Sequence, residues 1–87
     1  MSEFTWLNKQ GVASNTGYSL QSVARFEWEY REGDSAFRLF GEPTFGGRHG
    51  FAFARDWDPI PTDAQREHVQ RNVSEAMRFM ELKAEFD

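Results

Sequence analysis

Trp57-Asp58-Pro59-Ile60-Pro61-Thr62 divides the chain into two patterns. Before it, short aromatic runs alternate with polar residues; after it, apolar residues recur at helical spacing. Pro59 and Pro61 have no backbone N–H for a strand neighbour, so sheet pairing is expected to stop there. Thr62 can offer its hydroxyl to the orphan amides of a new helix, and Gln65 completes a capping box. Beyond it Val69, Val73, Ala76, Met77, Met80 and Ala84 form an apolar stripe wide enough to lie across a sheet, with Phe79 and Phe86 outside it. The expectation is a single domain, 1–87, with sheet over 1–56, a joint at 57–61 and a helix over 62–84.

Upstream, the firmest strand signal is Arg25-Phe26-Glu27-Trp28-Glu29-Tyr30-Arg31. Strict alternation puts Phe26, Trp28 and Tyr30 on one face and the charged residues on the other. Glu32-Gly33-Asp34 reads as a turn into Ser35-Ala36-Phe37-Arg38-Leu39-Phe40. A two-residue loop at Glu32-Gly33 sets Trp28 opposite Phe37 and Glu27 opposite Arg38. A four-residue loop keeps the faces but pairs Trp28 with Leu39 and Glu29 with Arg38. A three-residue loop would set Trp28 against Arg38, which the pattern disfavours. Phe4-Thr5-Trp6 and Tyr18 with Leu20 suggest earlier strands, with Gly11 and Asn15-Thr16-Gly17 as turn signals. Glu42-Pro43 ends a strand, and Phe51 and Phe53 point one way in a last one. The predicted class is α+β: an antiparallel meander of four to five strands with one C-terminal helix packed on its apolar face.

A chain of 87 residues must build its core economically, and 9 Phe, 3 Trp and 2 Tyr supply large buried areas for few frozen torsions. With no Cys there is no disulfide framework and no thiol nucleophile. No basic n-region leads into an apolar stretch, and the longest apolar run, Phe51-Ala52-Phe53-Ala54, is too short for a bilayer. A cytoplasmic location is expected. The net charge of −4 gathers after residue 31, and no basic tract exists to attract phosphate, which argues against nucleic acid.

Candidate chemistry is sparse. Gly46-Gly47-Arg48-His49-Gly50 lacks the Lys-Ser/Thr of a P-loop and precedes a strand rather than a helix, so it reads as a hairpin loop with His49 exposed. His68 has no second His at helical spacing, so no metal site is expected there. Asp56 and Asp58 share one side of an extended segment but supply too few oxygens for a cation; Asp58-Pro59 reads as a turn with Trp57 plugging the core edge. Asn72-Val73-Ser74 matches a glycosylation pattern but falls inside the predicted helix and is set aside. Glu27 and Glu29 alternate with Arg25 and Arg31 and confront Arg38, an ion-pair lattice on a solvated face.

Phe40 breaks the pattern, because it shares the polar face of the hairpin with Arg38. An apolar ring among Arg and Glu is a common composition for an interface anchor. The alternative is a bulge near Gly41 that turns the ring inward, or a loop that covers it. The candidate partner-binding set is Phe40, Arg38, Glu27 and Glu29, with no catalytic, cofactor or metal residue expected.

Glu29-Tyr30-Arg31-Glu32-Gly33, Glu42-Pro43, the Trp57-Asp58-Pro59 joint, Asn72-Val73 and Ala76-Met77-Arg78-Phe79-Met80 resemble small bacterial immunity proteins of polymorphic toxin systems, and among them the immunity protein 74 family. The resemblance spans roughly residues 6–83, and the Gly46–Gly50 stretch has no counterpart in it. It implies a non-enzymatic cytoplasmic protein that binds and blocks a toxin encoded beside it. A small interaction or structural protein, such as a phage-encoded inhibitor of a host system, is the alternative.

Overall fold

Alternating apolar and polar side chains carry the chain through six antiparallel strands, β1 (Phe4–Asn8), β2 (Gly11–Ser14), β3 (Tyr18–Ala24), β4 (Glu27–Glu32), β5 (Ser35–Pro43) and β6 (Arg48–Phe53). Helix α1 (Asp63–Phe79) then crosses the sheet, and β7 (Lys83–Phe86) returns parallel to β6. The computed structural model describes residues 3–55 and 60–86. The expected Trp57-Asp58-Pro59 joint and the Asp56/Asp58 pair lie outside the described residues. The class is α+β as expected, but the sheet has seven strands in sequential order rather than four to five.

One of the two extra strands, β2, comes from the N-terminal segment, and the other is β7. Asn8 Oδ1 accepts the Gln10 N–H at 2.7 Å, so the side chain itself builds the turn at Lys9-Gln10. Gly11, expected in a turn, instead opens β2. A Cβ there would lie 2.3 Å from Gln21 Cβ, so the neighbouring strand admits only glycine.

The helix begins as its sequence predicts. Thr62 Oγ1 accepts the Gln65 N–H, and Gln65 Oε1 accepts the Thr62 N–H. It ends at Phe79, short of the expected residue 84. Leu82 N–H reaches the Met77 carbonyl at 2.8 Å and Glu81 N–H the Arg78 carbonyl at 3.0 Å, with Glu81 at φ 63. That is a Schellman closure with glutamate where glycine usually stands, so the sequence carries no conventional stop signal. Ala84 and Phe86 therefore belong to β7, where Phe86 stacks on Phe51 with ring centroids 5.5 Å apart.

The β4–β5 hairpin pairs Trp28 with Leu39, Tyr30 with Phe37 and Glu29 with Arg38. This is the register of the longer-loop alternative, closed by a two-residue turn at Gly33-Asp34, since Glu32 already pairs with Ser35. Gly33 takes φ 59, which the tight turn requires. The core unites Val12, Leu20, Tyr30, Leu39 and Phe51 from the sheet with Val69, Val73, Ala76 and Met77 from the predicted stripe. Burying each large side chain contributes about 1.5–3 kcal/mol.

Two inward or outward assignments are corrected. Phe26, expected beside Trp28 and Tyr30, sits in the β3–β4 turn at φ 62 and is 39% exposed. The register shifts between Ser22 and Ala24, so alternation fails before the ring reaches the pleat. His49, expected in an exposed loop, lies in β6 with its ring 5.9 Å from Trp28, edge-on, and 6.3 Å from Phe51. Among the described residues no helix is long and apolar enough to cross a membrane.

Candidate functional site

The outer face of the sheet, turned away from α1, collects the alternate positions of β4 and β5. Glu27 stands opposite Phe40, which is flanked on its other side by Ala52 of β6; Glu29 stands opposite Arg38. Glu29 binds the Arg31 Nε at 3.0 Å and lies 4.0 Å from Arg38 Nη2. Glu29 and Arg38 side chains are only 18% exposed, whereas Phe40 is 46% exposed. The structure thus brings the four predicted residues together as two cross-strand pairs, with an open ring beside a partly shielded ion-pair row. Such pairs contribute little to stability, but they order the surface around the ring.

Phe26 enlarges this end of the sheet. Its carbonyl accepts the Gly41 N–H at 2.9 Å, and the Arg25 guanidinium lies 5.1 Å from its ring centre. Gly41 is where the core demands glycine: a Cβ would lie 2.6 Å from the Phe51 ring and 2.7 Å from the Trp28 indole. A cleft of about 370 Å3 opens beside Phe26, with Trp28, Pro43 and His49 in its wall. Sequence reasoning missed Phe26 as a surface residue. The signal was the Ala24-Arg25 break in alternation ahead of it.

On the opposite face a polar cluster joins β4 to α1. Tyr30 Oη donates to Glu32 Oε1 at 2.6 Å and accepts from Asn72 Nδ2 at 2.9 Å. His68 Nε2 lies 2.8 and 3.0 Å from the two Glu32 oxygens. A carboxylate only accepts, so Nε2 carries the proton, and the Asn72 Nδ2 at 3.2 Å from it is a contact between donors. Burial pushes the Glu32 carboxyl upward, but hydrogen bonds from Tyr30 and His68 outweigh it and hold its pKa below the ordinary value. Burial, with the bond to Glu32, drives the Tyr30 phenol far above its own.

Each of these groups is engaged with another of the set, which is the chemistry of a clamp between helix and sheet. Taken singly, His68 reads as a lone histidine and Asn72 as part of a glycosylation pattern. Their four-residue helical spacing, matched to the Tyr30-Glu32 alternation, was the available signal. Among the described residues no group of three or more His, Asp or Glu side chains could hold a metal ion. Comparison with protein-family models, curated proteins and solved structures finds no match.

Proposed function

We propose that this protein is a non-enzymatic binding protein of the immunity type, which blocks a bacterial toxin in the cytoplasm through the outer face of β4 and β5. The observation that carries this reading is Phe40, a ring 46% exposed between Glu27 and Ala52. An exposed aromatic with a charged rim is the composition of a binding hot spot. The resemblance to immunity proteins supplies the class of partner, and the net charge of −4 favours a basic one over nucleic acid.

Affinity capture from the native host, read by mass spectrometry, identifies the partner. Phe40→Ala, folded by circular dichroism, is then expected to lose about thirtyfold in affinity and to lose cellular protection with it. Glu27→Gln should act mainly on the association rate and its salt dependence. Unchanged affinity in folded Phe40→Ala moves the interface off this hairpin.

A further inference from the structure

The outer edge of the sheet at β1 carries no charge and no proline along the strand itself, and a register shift between Trp6 and Asn8 blunts only its far end. Phe4-Thr5-Trp6-Leu7-Asn8 has no charged side chain and no proline, and Trp6 and Leu7 are each 51% exposed. β1 pairs only with β2 among the described residues. The apolar surface continues onto the helix, where Phe79, 41% exposed, lies 5.8 Å from Trp6 and 5.2 Å from Phe4 between ring centroids.

The open backbone groups can be assigned. Glu3 turns its N–H to Asn15 Oδ1 and its carbonyl to the Asn15 N–H, toward the β2 side. Strand alternation then directs the N–H and C=O of Phe4 and Trp6 to the open edge.

We propose that this edge is a homodimer interface, with β1 pairing antiparallel to β1 of a second copy about a two-fold axis at Trp6. The charges that flank the strand favour this occupant. Glu3 precedes β1 and Lys9 stands in the turn after it, three residues either side of Trp6, so the two-fold brings the Glu3 end of each copy to the Lys9 end of the other. A parallel alignment in register would set Glu3 against Glu3. At the axis the two Trp6 residues exchange both backbone hydrogen bonds, Thr5 faces Leu7, and the Trp6–Phe79 patches of the copies meet. The interface is isologous, as a two-fold requires. The register shift between Trp6 and Asn8 keeps the regular stretch short, so association is weak and depends on concentration. Phe40 lies on β5, beyond β2, β3 and β4, so the dimer leaves the proposed partner surface open, and neither reading rests on the other.

Sedimentation equilibrium of the intact protein at low salt tests this. The expected result is a monomer–dimer equilibrium that Trp6→Lys abolishes while circular dichroism stays native. Glu3→Lys alone and Lys9→Glu alone should each weaken association about threefold to tenfold, because each reversal turns two attractive contacts into repulsive ones. The double reversal should restore it. A monomer at all concentrations up to about 1 mM overturns the proposal. So does a dimer indifferent to the single reversals, or one that the double reversal does not restore.

Discussion

The phenol oxygen of Tyr30 lies 2.9 Å from Asn72 Nδ2 and 2.6 Å from Glu32 Oε1, so one hydroxyl on β4 ties the helix to its own strand. Tyr30 has no exposed surface, and Asn72 is 9% exposed. Water therefore has little access to either partner if the hydroxyl is lost. The same carboxylate receives the His68 Nε2–H, which extends the tie to the solvent side of α1.

Tyr30→Phe should consequently cost about 1–3 kcal/mol, more than a neutral hydrogen bond contributes, because Asn72 is left with a buried donor unpaired. The double variant Tyr30→Phe with Asn72→Leu should cost less than the sum of the two single changes. Urea denaturation of the four proteins measures the coupling, and strict additivity would mean that the two side chains do not act together.

Gly41 offers a steric test of the core edge. A methyl group there would meet both Phe51 and the Trp28 indole inside 3 Å. Gly41→Ala should lose about 1–3 kcal/mol, and the tryptophan fluorescence should shift as the ring moves. A stability within experimental error of the parent would show that the β5 backbone stands further from Trp28.

Glu81 closes the helix in the left-handed region, which costs a side-chain-bearing residue about 1–2 kcal/mol relative to glycine, before glycine's greater unfolded freedom is counted. Glu81→Gly should therefore stabilise the protein, by roughly 0.5–1 kcal/mol after that offset. Thermal denaturation should record a higher midpoint. A lower one would mean that the Glu81 side chain makes contacts worth more than the strain.

Acid should weaken the fold in two windows. His49 is held below its ordinary value of 6.5 by burial, opposed in part by a backbone bond with Gly47. Folding thus favours the neutral imidazole, a contribution complete above 6.5 and lost as pH falls through the folded value. Glu32 is lowered from 4.5, where the hydrogen bonds to Tyr30 and His68 overcome the upward push of burial. Its contribution is complete above 4.5 and disappears as pH falls through the lower folded value. Denaturation midpoints across an acid series should lose the upper limb in His49→Gln and the lower limb in Glu32→Gln. If His49→Gln leaves the upper limb in place, another group is responsible for it.

What could be read from residue order were the features that neighbours a few positions apart decide. Thr62 and Gln65 cap each other across three residues, Val69 to Met77 share one helix face by spacing alone, and Trp28 with Tyr30 turn inward by alternation. The polar set of Phe40, Arg38, Glu27 and Glu29 was legible for the same reason, since pleat parity assigns a face before any register is chosen. The register was not: two loop lengths satisfied the same parity, and the left-handed turn at Gly33 selected Trp28 against Leu39. The remaining features were decided by contacts between distant segments. Lys83–Phe86 is a strand because β6 presents an open edge and Phe51 a ring to stack on, neither of which local spacing records. His68 meets Glu32 across 36 residues, and only packing of the helix on the sheet brings the imidazole to the carboxylate.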